Sequence, residues 1–373
     1  MEIEKLKEKL SEIKDPRRQW GHLLHKLAEI VIIALLSTIC LGEDYDDMEE
    51  FGKEREEWLK SELGLELKNG IPDGDTFKRI LERIKPKEMR QKLNESIEYV
   101  RALRDVVAID GKTKRGSGVK SKDRKPLHII SAFVAEEQLV LGEIASENKQ
   151  TEIKEIPKLL DEIDVFGSIV TVDAIGCQHE IATKVIDCEA DYVIGLKKNQ
   201  RKLYEAAEEH FSAPNPYEVI YTEEKNGSRI EKREYQLECD LNWLDQADEW
   251  TGLQGIGRVK SIIERGDEVS FEIRYYITSL NDVNEFAYAV RKHWSIENQL
   301  HWCLDVVYRE DKSKAGKGYA AMNLNILEKH ALHLVSKADL SKFIKMGKPS
   351  RKRKRFKATL NPDVLLSIIL PPE

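Results

Sequence analysis

The chain has 373 residues, a length typical of two or three domains, and its 41% hydrophobic residues suffice for a folded core. Its net charge of −7 argues weakly against a nucleic-acid partner. Phosphate binding is local, however, and nine basic residues with no acidic one lie between positions 342 and 357. Five cysteines, an odd number without a CxxC pair, exclude a disulfide framework or a zinc ribbon and favour a reducing cytoplasm.

The first hundred residues are predicted to form a helical N-terminal domain (1–100). Apolar residues at helical spacing predict one helix in 23–41 and an amphipathic helix over 46–63. The start MEIEKLKEKL lacks the apolar core of a signal peptide, and the apolar run 30–41 is too short to span a bilayer. We therefore expect no membrane association. Asp75 or Thr76 is the predicted cap of the next helix, which Pro86 ends.

Residues 101–340 follow a different pattern, that of an α/β domain. Buried strands are predicted at 106–109, 128–135 and 138–145, then a helix, a strand at 168–172, a second helix, and a strand at 192–196. This β-β-β-α-β-α-β order predicts a mixed sheet with helices on its faces. Alternating residues at about 212–280 predict a β-rich insertion, and helices are expected at 285–307 and 322–336. The remainder, 341–373, is predicted to be a basic, partly ordered C-terminal tail.

Two aspartates follow apolar runs at predicted strand ends, Asp110 in VVAIDGKTKRGS and Asp173 in IVTVDAIGCQ. The carboxyl ends of strands in an open α/β sheet converge on one crevice. Two carboxylates in one crevice repel each other unless a cation lies between them, and oxygen ligands suit Mg²⁺ or Mn²⁺. The alternative is that each aspartate only ends its strand in an ordinary turn.

A later helix, RKHWSIENQLHWCLDVVYRED, carries polar residues four positions apart beside an apolar surface. They are His293, Glu297, His301 and Asp305. A solvated helix face is the alternative interpretation of this stripe. A zinc site is disfavoured, because neither an HExxH motif nor a suitably placed cysteine accompanies the histidines.

Long ordered stretches of the chain resemble the ISAs-type transposases of bacterial insertion sequences, the H-repeat-associated group of the DDE superfamily. The stretches include DPRRQWGHLLHKLAEIVIIALLSTICLG, GIPDGDTFKRI, VVAIDGKTKRGS, TVDAIGCQHEIATKVIDCEADYVIGLKKNQ and HWSIENQLHWCLDVVYRED. The resemblance implies an RNase H-like catalytic domain, a helical N-terminal associated domain and an acidic triad. That triad falls on Asp110, Asp173 and Glu297.

The resemblance weakens around the glutamate. The wider superfamily often places Tyr, Arg and Lys at fixed spacing there, where this chain has Val290, His293 and Leu304. Residues elsewhere are therefore predicted to contact DNA. The alternative is that the basic ones are solvated side chains of a hairpin or of a solubilising tail. The DNA-contact residues predicted here are Lys112, Lys114, Arg115, Lys197, Lys198, His293, Arg351, Lys352 and Arg353.

These features predict a DNA transposase that cuts and joins phosphodiester bonds with two Mg²⁺ or Mn²⁺ ions held by the triad. Its expected partners are double-stranded DNA, both element ends and target, and a second copy of the chain on that DNA. The expected location is the bacterial cytoplasm, at the nucleoid. Two alternatives stay open: an inactive or repurposed DNA-binding copy, and a metal-dependent nuclease without strand transfer.

Overall fold

The computed structural model describes residues 3–17, 23–97, 99, 102–118, 125–213, 218–227, 229–266, 268–344, 347 and 349–370. Six helices come first in the described part of the chain. They are α1 (Ile3–Ser11), α2 (Leu27–Ile39), α3 (Tyr45–Glu54), α4 (Glu56–Ser61), α5 (Gly74–Leu81) and α6 (Pro86–Glu95). All thirteen residues of α2 are buried, which explains its apolar sequence. None of the described helices has the length and apolarity needed to cross a membrane.

Local sequence explains where these helices begin. The Asp44 carboxylate accepts hydrogen bonds from the first turn of α3, in a reciprocal arrangement with Asp47. At α5 the cap is Asp73, whose side chain accepts from the Thr76 N–H at 2.7 Å. The predicted cap was two or three residues late. Pro86 starts α6, since a first-turn proline loses no helical hydrogen bond, and the helix it begins was not predicted.

A nine-stranded mixed sheet forms the centre of the molecule within the described residues, in the order β3-β2-β1-β4-β5-β9-β8-β7-β6. Its strands are β1 (Val106–Lys114), β2 (Leu127–Val134), β3 (Leu139–Ser146), β4 (Ile169–Val172), β5 (Asp191–Leu196), β6 (Glu218–Asn226), β7 (Arg229–Glu238), β8 (Gly255–Arg265) and β9 (Glu268–Thr278). β1 pairs antiparallel with β2 and parallel with β4, which pairs parallel with β5. The first five strands confirm the predicted RNase H-like sheet flanked by helices.

The β-rich segment predicted as an insertion extends this same sheet. β9 pairs antiparallel with β5, with Leu196 opposite Tyr275. β6 to β8 then continue outward as antiparallel neighbours. Without β9, the N–H and C=O groups along one side of β5 would lack a strand partner. The segment therefore adds four strands through a continuous hydrogen-bonded ladder.

Helices cover both faces of the sheet. The remaining helices are α7 (Glu152–Leu160), α8 (His179–Asp187), α9 (Arg201–His210), α10 (Val283–Ser295), α11 (Trp302–Val306), α12 (Ala320–Lys337), α13 (Arg351–Leu360) and α14 (Pro362–Ile369). Val107 and Ile109 pack in one core with α7 and α8, while Val106 packs in another with α10. This alternation follows from the two-residue period of a strand. α12 lies between the N-terminal helices and the sheet, and residues 320–335 are all buried.

The C-terminal segment differs from the predicted, partly ordered tail because its described part forms two docked helices. Lys354 donates to the carbonyls of Val335 at 2.9 Å and Ala338 at 2.6 Å, at the end of α12. Arg355 donates to the carbonyl of Thr38 at 2.9 Å, at the end of α2, and to that of Val307 after α11. The last carbonyls of a helix lack partners within it, and cations suit this negative end.

The basic run therefore has two sides. Lys354 and Arg355 face inward, whereas Lys352 and Arg353 are exposed. Arg351 is half-buried, with hydrogen bonds to Ser336 at 2.8 Å and Gln138 at 2.6 Å. α14 buries four apolar side chains in the core of the N-terminal helices, namely Val364, Leu365, Ile368 and Ile369. Removing 342–373 would thus remove core as well as charge.

Arg355→Ala is expected to lower the free energy of unfolding by about 3 kcal/mol, because it leaves buried carbonyls of α2 and α11 unpaired. It also removes the guanidinium 3.9 Å from the Tyr308 ring centroid. Arg353→Ala, an exposed arginine on the same helix, should change stability by less than about 0.5 kcal/mol. Urea unfolding followed by circular dichroism measures both. Equal effects of the two variants would refute the capping role.

Candidate active site

Asp110 and Asp173 occupy equivalent positions on neighbouring parallel strands. Ile109 of β1 lies opposite Val172 of β4, and each aspartate follows directly. β4 ends there, and the Asp173 carboxylate accepts the Ile175 N–H at 3.1 Å. β1 does not end at Asp110 as predicted. It continues to Lys114 because those residues pair with β2. β4 therefore stops beside a longer β1, with the two aspartates next to each other.

The Asp110 carboxyl is held in an unfavourable environment for a negative charge. Burial, followed by the nearby Asp173 carboxylate, raises the pKa of Asp110 to about 7. Glu152 and Glu297 raise this pKa further, whereas a hydrogen bond from the Gly111 backbone lowers it. Glu297 thus acts electrostatically on the same carboxyl as Asp173. Of the three acids predicted as a triad, Asp173 and Glu297 therefore both raise the pKa of the third, Asp110.

Glu297 lies on a helix that changes its winding. α10 runs into a π-helical turn over Ile296–His301, which then continues as α11. A π turn contains more residues than an α turn, and such turns occur frequently at functional sites. Glu297 is exposed in this turn and lines a crevice of about 400 Å³. Other residues lining it include Thr171, Asp173, Gly195, Lys197, Arg274, His293 and Trp294.

The polar stripe of this helix faces the sheet. His301 Nδ1 lies 3.4 Å from Asp110 Oδ2, and Lys112 Nζ lies 2.6 Å from Asp305 Oδ1. Thr171 on β4 hydrogen-bonds His293 Nδ1 at 2.9 Å. Because a π turn contains more residues than an α turn, polar residues four positions apart stay on the same side of this helix. This arrangement fixes the helix along β1 and β4, with Glu297 between the two histidines.

Two of the predicted DNA-contact lysines are engaged inside the protein. Lys114 is buried, with its amine 2.8 Å from Glu328 Oε2 and 3.7 Å from Glu310 Oε2. Lys112 forms ion pairs with Asp305 and Glu310. Both lie on the face of β1 that the later helices cover, because β1 is a long strand and not the start of a hairpin turn. Their predicted contact with phosphate is therefore incompatible with this structure.

The other predicted contacts have different surroundings. Lys197 is exposed and lines the crevice, while Lys198 is exposed with its amine 5.8 Å from the Tyr204 ring centroid. Arg115 is exposed, and its backbone N–H donates to Asp311. Burial lowers the pKa of His293 to about 4, so this imidazole is neutral at pH 7. His293 can therefore position its neighbours, but it offers no positive charge to a phosphate.

Arg274 is a crevice residue that the sequence did not single out. It lies on β9, and its guanidinium stacks 4.2 Å from the centroid of the Trp294 ring. Both side chains line the crevice with Glu297. The strand pattern of EIRYYIT predicts which residues share a face. It does not predict that β9 pairs with β5, and that pairing is what brings Arg274 to the site.

Comparison with known proteins identifies the family. Residues 101–334 match the family described as "Transposase DDE domain", and residues 7–95 match "DDE_Tnp_1-associated". The chain belongs to the DDE transposase family. The Escherichia coli protein named "Putative transposase YncI" is 38% identical over 97% of this chain and 93% of its own length. "H repeat-associated putative transposase YhhI", also from Escherichia coli, is 36% identical over 99% of this chain and 98% of its own length.

A solved piggyBac transposase synaptic complex with hairpin DNA also aligns with the transposase chain. The alignment covers 98% of this chain and 77% of the piggyBac chain, with 11% identity and a TM-score of 0.42. A likeness this weak supports no conclusion about the present chain.

The carboxylates fit a divalent cation by the chemistry of their oxygen donors. Asp110 and Asp173 also repel each other, a repulsion that a cation would relieve. Among the described residues, however, no three His, Cys, Asp or Glu side chains are grouped closely enough to hold one ion. The donor types therefore fit, while the triad is not assembled around a single position.

Asp110→Asn should stabilise the metal-free transposase at high pH. The raised pKa of Asp110 means that folding disfavours its charged form. The resulting loss of stability is absent below about pH 4, the pKa of an aspartate in the unfolded chain. It is complete above about pH 7, the pKa of Asp110 in the folded chain. The variant should match the wild type at pH 4 and exceed it by up to about 4 kcal/mol at pH 8.

Urea unfolding in EDTA across this pH range measures the difference, with Asp305→Asn as the control, for which a smaller pH dependence is expected. A stability difference for Asp110→Asn that stays constant with pH would contradict the assigned environment of Asp110.

Proposed function

We propose that this transposase binds double-stranded DNA at the ends of a mobile element, hydrolyses a phosphodiester bond there and joins the freed 3′-hydroxyl to target DNA. Membership of the DDE transposase family supports the class of reaction. The observation that carries the assignment to this site is the matched register of Asp110 and Asp173, with the raised pKa of Asp110. Such a pair favours a bound cation over two free carboxylates.

Asp110, Asp173 and Glu297 are the proposed metal ligands, for two Mg²⁺ or Mn²⁺ ions. When bound, such ions lower the pKa of water and stabilise the charge that develops during phosphoryl transfer. Asp110 and Asp173 lie on rigid strands, so their positions are set before any ion arrives. Glu297 lies on the π-helical turn, and its approach to the aspartates would complete the ligand set.

Other residues of the crevice position these ligands. His301 contacts the Asp110 carboxylate, and a hydrogen bond between the Thr171 hydroxyl and the His293 ring holds His293 near Asp173. Both histidines are neutral at pH 7, because burial lowers their pKa values to about 3 and about 4 respectively. They therefore add no charge that would compete with a cation.

Positive charge for a DNA strand comes from the rim of the crevice. Lys197 and Arg274 both line it, on β5's end and on β9. Arg274 extends over Trp294 and pairs with Glu272 at 2.8 Å, and Glu297 lines the same crevice. Phosphate contacts of this kind position a strand without reading its sequence. Lys198, Lys352 and Arg353 are exposed and remain proposed contacts outside the crevice.

Transposition requires two element ends to be held together, so we propose a dimer of this chain on DNA, acting in the bacterial cytoplasm at the nucleoid.

Glu297→Gln is expected to abolish strand cleavage, with a loss of at least about three powers of ten in rate, or about 4 kcal/mol of barrier. The amide keeps the size of the side chain and removes the charge that would hold an ion. Asp305→Asn, farther along the same helix and paired with Lys112, should be milder. Single-turnover nicking of element-end DNA measures both. Normal cleavage by Glu297→Gln with an inactive Asp305→Asn would move the third ligand to Asp305.

Strand transfer is tested separately with a precut element end and a supercoiled target. We expect joined products in Mg²⁺ or Mn²⁺ and none in EDTA, with Asp173→Asn as the inactive control. Cleavage without joining would identify a metal-dependent nuclease. Binding with neither reaction would identify an inactive DNA-binding copy.

A further inference from the structure

A charged loop follows the Glu297 helix and touches the end of β1. Its sequence, 309–319, reads REDKSKAGKGY, with acidic and basic residues next to each other. The loop packs against the turn that follows β1, because Gly116 lies under it. A Cβ on Gly116 would be 2.2 Å from the Asp311 carbonyl oxygen and 2.5 Å from that of Ser313. The two segments therefore form one surface.

The fold separates the charges of this surface by sign. Glu310 is buried, where it pairs with Lys112 and accepts a hydrogen bond from Asn325 at 2.9 Å. The Asp311 carboxylate accepts the Arg115 N–H at 2.7 Å. Both acids of the loop are thus satisfied by interior or backbone groups. Glu310 is therefore neutralised by Lys112, whereas Asp311 keeps its negative charge beside the Arg115 backbone.

The basic side chains point outward. Arg115, Lys312, Lys314 and Lys317 are all exposed. Lys317 pairs with Glu82 at 3.2 Å, and Arg309 with Glu43 at 3.3 Å. In the part of the chain that the structure describes, no carboxylate lies within ion-pair distance of the side chains of Lys312 or Arg115. Arg115 and Lys312 are therefore exposed cations without an ion-pair partner among the described residues.

This surface lies a short distance along β1 from the proposed active site. Arg115 is five residues after Asp110 along a nearly continuous strand, or about 17 Å at about 3.3 Å per residue. Five base pairs of DNA have the same length, at about 3.4 Å each. A duplex of more than about five base pairs held at the proposed active site is therefore long enough to extend to Arg115.

We propose that Arg115 and Lys312, flanked by Lys314 and Lys317, form a binding surface for the phosphate backbone of duplex DNA beside the active site. The proposal rests on the proposed function in taking DNA as the substrate. It adds the loop after the Glu297 helix as a part of the protein that holds it. Because phosphate contacts are independent of base identity, this surface binds duplexes of any sequence.

The test uses the full chain in EDTA, so that binding is measured without cleavage. The probe is a fluorescent duplex of roughly 30 base pairs of arbitrary sequence, titrated at several KCl concentrations. The double variant Arg115→Gln/Lys312→Gln should reduce the slope of log K against log[KCl] by about 1.8, or about 0.9 for each lost contact. The matched control Lys154→Gln/Lys158→Gln removes two exposed charges from α7, on the opposite face of the sheet.

The slope of the control should equal that of the wild type. An unchanged slope for Arg115→Gln/Lys312→Gln, in protein whose melting temperature matches the wild type, would overturn the proposal. A reduced slope in a protein that never cleaves DNA would support this surface and count against the proposed catalysis. An unchanged slope for the double variant of a protein that cleaves DNA would overturn this surface and support the proposed catalysis. Failure of the surface and failure of the proposed function are therefore distinguishable.

Discussion

Two carboxylates on adjacent parallel strands, at matched register, repel each other, and much of this structure keeps them in that position. The ladder between β1 and β4 ends at Ile109 and Val172, one residue before each aspartate, so the backbone holds Asp110 and Asp173 next to each other. Burial strengthens the repulsion by removing water. As the proposed metal site, this pair would be preorganised for a cation before one binds.

Buried charged side chains also link the sheet to the helices that pack on it. Lys114 meets Glu328 of α12, and Lys329 of α12 reaches Glu143 on β3 at 2.9 Å. The Glu143 backbone carbonyl accepts a hydrogen bond from Arg90 of α6 at 2.8 Å. Buried ion pairs contribute little net stability, but losing one partner is costly, so they favour a single arrangement. Here they set the N-terminal helices and α12 in one orientation relative to β1.

Sequence patterns predicted the parts of this architecture that depend on local periodicity. The apolar runs before Asp110 and Asp173 were enough to place both residues at strands. The length of β1 was missed, because GKTK has no apolar alternation and only its pairing with β2 makes it a strand. The π-helical turn was missed for a similar reason, since its winding depends on contacts with the sheet. The basic run 351–355 shows most clearly what sequence cannot predict. The exposed Lys352 and the buried Lys354, which caps the end of α12, cannot be told apart from the sequence.

The continuous ladder between β5 and β9 restricts how this part of the chain can be exchanged. A chimaera that replaced the strands β6 to β9 with those of a relative would have to preserve the pairing of Leu196 with Tyr275. A slip of one residue would turn every side chain of β9 to the opposite face of the sheet, since strand side chains alternate. Arg274 would then leave the crevice while the backbone stayed fully hydrogen-bonded. Such a hybrid would lose the Arg274 guanidinium from the crevice and turn Tyr275 and Ile277 away from the core in which they pack, so a graft with the wrong register would lose stability and function together.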